Sequence, residues 1–224
     1  MQKLASLTLL ALLFTVAASA DQLYFYGGDF SGDNAIANEN DAFDSGTPYG
    51  TAVYQNFYAL SNITVSGLFT NNLSSITPVD GYWELRSGVS AGNGGTLIAS
   101  GTAPVTNTPT GRSGFGYLEY TNLVSGLSVS LAPGQYWLAV VPECPNCQGR
   151  AFNGDTSGLN SVGKSDLNLE YVNSPAFGQN FMALGSGFPT GSSGVYVVPE
   201  PASLTMLGAG IAGVIGALRR KLLG

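Results

Sequence analysis

Short runs of alternating polar and apolar residues, each closed by glycine, proline or asparagine, recur along this chain, and no 3.6-residue period separates them. Such a pattern buries its apolar side chains only by pairing strands, so it constrains the fold to sheets joined by turns. The clearest run is 135–141, where Tyr136-Trp137-Leu138-Ala139-Val140-Val141 follows the turn Pro133-Gly134. In 81–86, Tyr82, Glu84 and Arg86 alternate with Trp83 and Leu85, which gives one polar and one apolar face. Gly92-Asn93-Gly94-Gly95 is rich in residues that tolerate positive φ and turns the chain toward a strand at 96–100. Further strands are expected at 22–26, 53–60, 63–69, 116–123, 127–131, 167–172, 178–184 and 195–198. The polar stretches 27–48 and 102–110 read as loops, the first long and partly ordered, the second exposed. The expected fold is all-β, an antiparallel β-sandwich of jelly-roll type.

The two ends do not belong to that sandwich. Pro199-Glu200-Pro201 is followed by an uncharged apolar run, 202–218, and then by Arg219-Arg220-Lys221. As a helix the run is about 25 Å long, the short end of what spans a bilayer. Cations snorkelling after it favour the cytoplasmic side and leave the residues before Pro199 outside. This three-part order resembles the PEP-CTERM sorting signal of exported bacterial proteins, and the resemblance implies recognition and removal by an exosortase, a membrane-embedded transpeptidase-like enzyme. A plain C-terminal anchor would need no Pro-Glu-Pro. Gly208, Gly210 and Gly213 match G-x-G-x-x-G, but within a membrane run and after no strand they make no dinucleotide site. At the other end, Lys3, the apolar stretch 4–16 and Ala18-Ser19-Ala20 form a secretory signal peptide. The expected organisation is a signal peptide over 1–20, a β-sandwich ectodomain over 21–198, and a sorting signal with a transmembrane helix over 199–224.

Between the ends, Arg86, Arg112, Arg150 and Lys164 face thirteen carboxylates, a net charge of −9 that repels phosphate backbones and excludes a nucleic-acid partner. The segments 83–88, 94–101 and 131–138 also look like the β-sandwich ectodomains that often precede PEP-CTERM tails; this likeness covers roughly 50–200, carries strands and turns, and implies no activity.

The chain has no histidine. Histidine-based triads and the common zinc sites are therefore out, and catalysis would have to rest on paired carboxylates, as in glycosidases. Glu84, Glu119, Glu143 and Glu170 are scattered, and alternation sends Glu84 and Glu119 onto solvated strand faces, so no enzyme is expected. Cys144-Pro145-Asn146-Cys147 is the only cysteine pair; in an oxidising compartment it is read as a disulfide closed by a Pro-Asn turn. A thioredoxin-like redox pair would need a helix after Cys144, and 148–154 does not read as one. Asp29, Ser31, Asp33 and Asp41 offer hard oxygen ligands for a structural calcium, the one cofactor the sequence suggests. The segment is not an EF-hand, since Asn34 and Asn40 replace the required glycine and glutamate, and a solvated acidic loop accounts for it as well.

Three functional classes remain. The first is an exported, exosortase-processed protein of the cell surface or extracellular matrix, with a structural or adhesive role in polysaccharide or biofilm. The second is a carbohydrate-binding module, which would expose aromatic side chains beside a cleft. The third is a hydrolase, which would need two carboxylates facing each other across one.

Overall fold

The computed structural model describes residues 20–41, 50–145, 147 and 149–199. Apart from residue 20, the expected signal peptide lies outside them, as does the apolar run 202–218. Residues Gln22–Val197 form one compact unit. Its strands are β1 (Gln22–Tyr26), β2 (Phe30–Ala37), β3 (Asn40–Asp41), β4 (Ala52–Ala59), β5 (Ile63–Ser74), β6 (Asp80–Ser87), β7 (Thr96–Gly114), β8 (Tyr117–Leu131), β9 (Gly134–Cys144), β10 (Ala151–Thr156), β11 (Tyr171–Ser174), β12 (Gln179–Ala183) and β13 (Ser193–Val197). The fold is all-β, and its pairs are antiparallel except for β3, which lies parallel to β9.

Hydrogen-bonded neighbours run β1-β13-β5-β8-β7-β6-β9-β4-β11-β12, with β10 on β5 and β2 on β10. The hinge of this order is β7. It pairs with β6 as far as Pro104, opposite Asp80, and with β8 from Val105, opposite Val124. Proline has no N–H to give a ladder, and Pro104 stands at the position where the strand changes partner. Phe115 and Gly116, at φ 52° and 85°, form the two-residue turn into β8, the double positive φ that matches the twist of a hairpin.

One core lies between the two halves of this order. It takes Phe25, Val65, Leu68, Val124 and Val195 from the first half and Phe57, Trp83, Leu85, Leu138 and Val140 from the second. A second core covers the opposite face of β4, β6 and β9. There Tyr54, Trp137, Ala139 and Val141 pack against Tyr171 and Phe181.

That second core overturns the expectation for Glu84. Glu84 is buried rather than solvated, because β11 and β12 close over the face that alternation marked as polar. Glu119 is buried too, beneath Arg112 of the neighbouring strand. The stretch 27–48 is not the long loop expected, since β2 and β3 occupy 30–37 and 40–41; residues 42–49 lie outside those described. The expected exposed loop at 102–110 is the middle of β7, and the strands expected at 116–123 and 127–131 are one strand, β8. β10 lies at 151–156, where the sequence pattern predicts no strand.

Candidate functional site

Every cation of the unit has a partner. Arg86 pairs with Glu84 and lies over the rings of Tyr54 and Phe181. Glu84 also accepts hydrogen bonds from Tyr54 (2.8 Å) and Tyr82 (2.7 Å). Arg112 bridges Glu119 (2.6 Å) and Asp29 (2.8 Å), and Arg150 holds Glu39 at 2.6 Å. Lys164 makes no ion pair among the described residues; its ammonium lies 4.3 Å from the centre of the Tyr58 ring. The carboxylates of Glu84 and Glu119 are buried at their arginines, an arrangement that fixes geometry, and neither residue lines the cleft described below.

Of the expected calcium ligands, Asp29, Ser31 and Asp33 have described side chains. Asp29 accepts from Tyr26, Arg112 and Asn160, while Ser31 donates to Asp155 at 2.5 Å. Burial works to raise the Asp29 carboxyl, but the hydrogen bonds from Asn160 and Tyr26 and the charge of Arg112 outweigh it and hold it below the ordinary carboxylate range. Asp33 is exposed, and the backbone of Asp41 pairs with Cys144; the side chain of Asp41 lies outside the description. Among the described residues no group of three His, Cys, Asp or Glu can hold a metal ion. Cys144 and Cys147 form a disulfide, with Cys144 packed against Ile76 and Ala151.

A cleft of about 330 Å³ opens beneath the connection from β10 to β11. Tyr26 and Phe25 line it on one side, Thr156 and Thr190 on another, and Ser161, Lys164 and Ser165 belong to the covering segment. Hydrogen bonds pin that segment across strand ends: Val162 exchanges both backbone bonds with Tyr26 (2.9 Å each), and the Lys164 carbonyl accepts from the N–H of Tyr58 (2.9 Å). Burial pushes the Tyr26 hydroxyl up to about 12, reinforced by the Asp29 carboxylate that it donates to. Behind Thr190 sits Glu170, fully buried, accepting from Gln55 (3.0 Å) and Asn56 (3.1 Å) through Oε1. Its Oε2 has no hydrogen-bond partner among the described residues. Burial pushes this carboxyl up to about 8, so at neutral pH it carries a proton. Among the described residues no carboxylate lines the cleft itself. The sequence reading missed the cleft, although the glycine- and serine-rich composition of 157–165 marks a functional type of loop.

The other functional end is the exit of the chain. β13 runs between β1 and β5, its last residue Val197 pairs with Gln22, and only Val198 separates it from Pro199. Residues 197–221 match the PEP-CTERM protein-sorting motif. The chain carries an exosortase sorting signal. It is thus an exported protein, anchored in the membrane until the PEP-CTERM signal is processed. Glu200 and Pro201 of the motif lie outside the described residues, and among the described ones no helix is long and apolar enough to cross a membrane. No curated protein matches the chain.

Proposed function

We propose that the domain delivered by the PEP-CTERM signal is a non-catalytic β-sandwich of jelly-roll type that acts at the cell surface or in the extracellular matrix, structurally or adhesively, in contact with polysaccharide. The sandwich reading is supported by a core shared between the two halves of the strand order. The non-catalytic reading is supported by one observation above all: Glu84 and Glu119, which alternation offered as surface acids, are buried in ion pairs with arginine, and the cleft has hydroxyls and aromatic rings but no acid. Hydroxyl and aromatic linings hold sugars by hydrogen bonding and stacking, so a carbohydrate-binding role is the second reading.

Fractionation of the native host tests the first reading. The mature chain is expected with the exopolysaccharide and is expected to be released by glycan hydrolases. A chain confined to the medium contradicts the matrix role. Turnover of a glycan that is abolished by Glu84→Gln or Glu119→Gln contradicts the non-catalytic one.

A further inference from the structure

The segment that covers the cleft has a spacing that neither strand nor turn requires. Gly158, Gly163, Lys164 and Ser165 reproduce G-x-x-x-x-G-K-[ST], the pattern in which backbone N–H groups and a lysine cradle a phosphate. As that pattern demands, the segment follows a strand, β10. The helix that completes a nucleotide site does not follow: 161–170 is irregular chain with one isolated bridge, from Val162 to Tyr26. What remains is the anion-holding half of the device.

Three features make that half usable. The backbone N–H groups of Gly163, Lys164 and Ser165 donate to no atom among the described residues. Lys164 has no ion pair among the described residues, whereas the three arginines of the unit all do. Nearby carboxylates are engaged elsewhere: Asp29 by Arg112 and Asn160, and Asp166 by the Tyr58 hydroxyl at 2.6 Å. Gly163, at φ 79°, also has a conformational reason to be glycine, since a Cβ there would stand 2.7 Å from the carbonyl oxygen of Tyr24. That constraint fixes the backbone and leaves its N–H pointing to no internal acceptor.

We propose that this cleft binds a single oxyanion (phosphoryl, sulfate or carboxylate) carried by a surface saccharide, with Lys164, the 163–165 backbone and the Ser165 hydroxyl holding the anion and the exposed hydroxyls of Ser157 and Ser161 facing the sugar. Only the source of the anion rests on the surface-polysaccharide reading. A domain at −9 repels long polyanions, so the site selects one charged substituent on an otherwise neutral chain.

The test is calorimetric titration of the full chain, kept in detergent, with glucose 6-phosphate, glucose and inorganic phosphate. Both phosphates are expected to bind and glucose is not. Tighter binding of the sugar phosphate identifies a glycan-borne group, and equal binding identifies the free ion. Lys164→Gln is expected to weaken binding about tenfold or more, and Lys164→Arg to restore most of it. Ser165→Ala, at a half-exposed hydroxyl, gives a several-fold loss and serves if Lys164→Gln does not fold. Absence of phosphate binding, equal binding of glucose, or affinity unchanged in both Lys164→Gln and Ser165→Ala overturns the site. A chain that fractionates with the matrix but binds no phosphate overturns the site alone.

Discussion

Gln22, the first residue of β1, stands directly opposite Val197, the last residue of β13. The chain therefore enters and leaves the sheet at one corner, and β13 is an inner strand held on both sides. The sorting match, 197–221, begins on the last residue of β13, and a single residue, Val198, stands between the ladder and Pro199.

Processing is expected to remove the tail near residues 199–201 and to leave β13 seated. Intact-mass analysis of the protein from its host should find a C-terminus there, and recovery only of chains still ending in Arg219 to Gly224 contradicts it. The thermal midpoint of the processed chain should match that of a chain ending at Val198 to within about 2 °C. A chain ending before Ser193 loses Val195 and Val197 from the core and exposes β5, and should not fold cooperatively.

Glu170 governs a pH dependence. Its folded pKa, about 8, lies above its ordinary value of 4.5, so the folded state holds a proton that the unfolded state has released between those two values. Stability attributable to Glu170 is then fully present below about pH 4.5, falls as pH rises through the window to about 8, and is flat above it. Urea titrations at pH 5 and pH 8 should differ by about 3–5 kcal/mol from this group, at ~1.4 kcal/mol per pKa unit. Glu170→Gln, which cannot ionise, should flatten most of that slope. An unchanged slope in the variant contradicts the assignment.

The disulfide should contribute modestly. Cys144 and Cys147 close a loop of very few residues, for which chain entropy gives about 2 kcal/mol. Alkylation before reduction should label neither cysteine, and reduction should lower the denaturation free energy by about that amount. Rapid labelling of both contradicts the bond.

Legibility from sequence followed how much each strand depends on its own side chains. β6 and β9 could be read because Trp83, Leu85, Leu138 and Val140 alternate into the main core. β2 and β10 could not: Gly32, Asp33 and Asn34 in one, and Asn153, Gly154 and Asp155 in the other, carry loop chemistry, and their strand form comes from pairing with each other and with β5. β7 hid behind Pro104 and Pro109, which read as breakers until their places are known, at a change of partner and beside a register shift. The second core had no local signal, because it is made by β11 and β12 returning from far along the chain. The cleft segment was present as a spacing, but whether its lysine was already paired depends on the fold.

Glu84 shows what that second core demands. Alternation correctly put Tyr82, Glu84 and Arg86 on one face, but the face is closed, so the carboxylate must be matched where water is absent. Arg86, Tyr54 and Tyr82 supply the match, and the arginine is itself held against two aromatic rings. Removing one member of a buried pair strands the other charge, so Glu84→Ala should cost about 3–5 kcal/mol. Replacing both members with apolar residues of similar volume, Glu84→Leu with Arg86→Met, should cost less than the single change, because neither charge is then left alone. Urea denaturation of the three chains measures both. A double variant less stable than Glu84→Ala would mean that the pair contributes more than relief of its own burial, and that Arg86 carries the packing of Phe181.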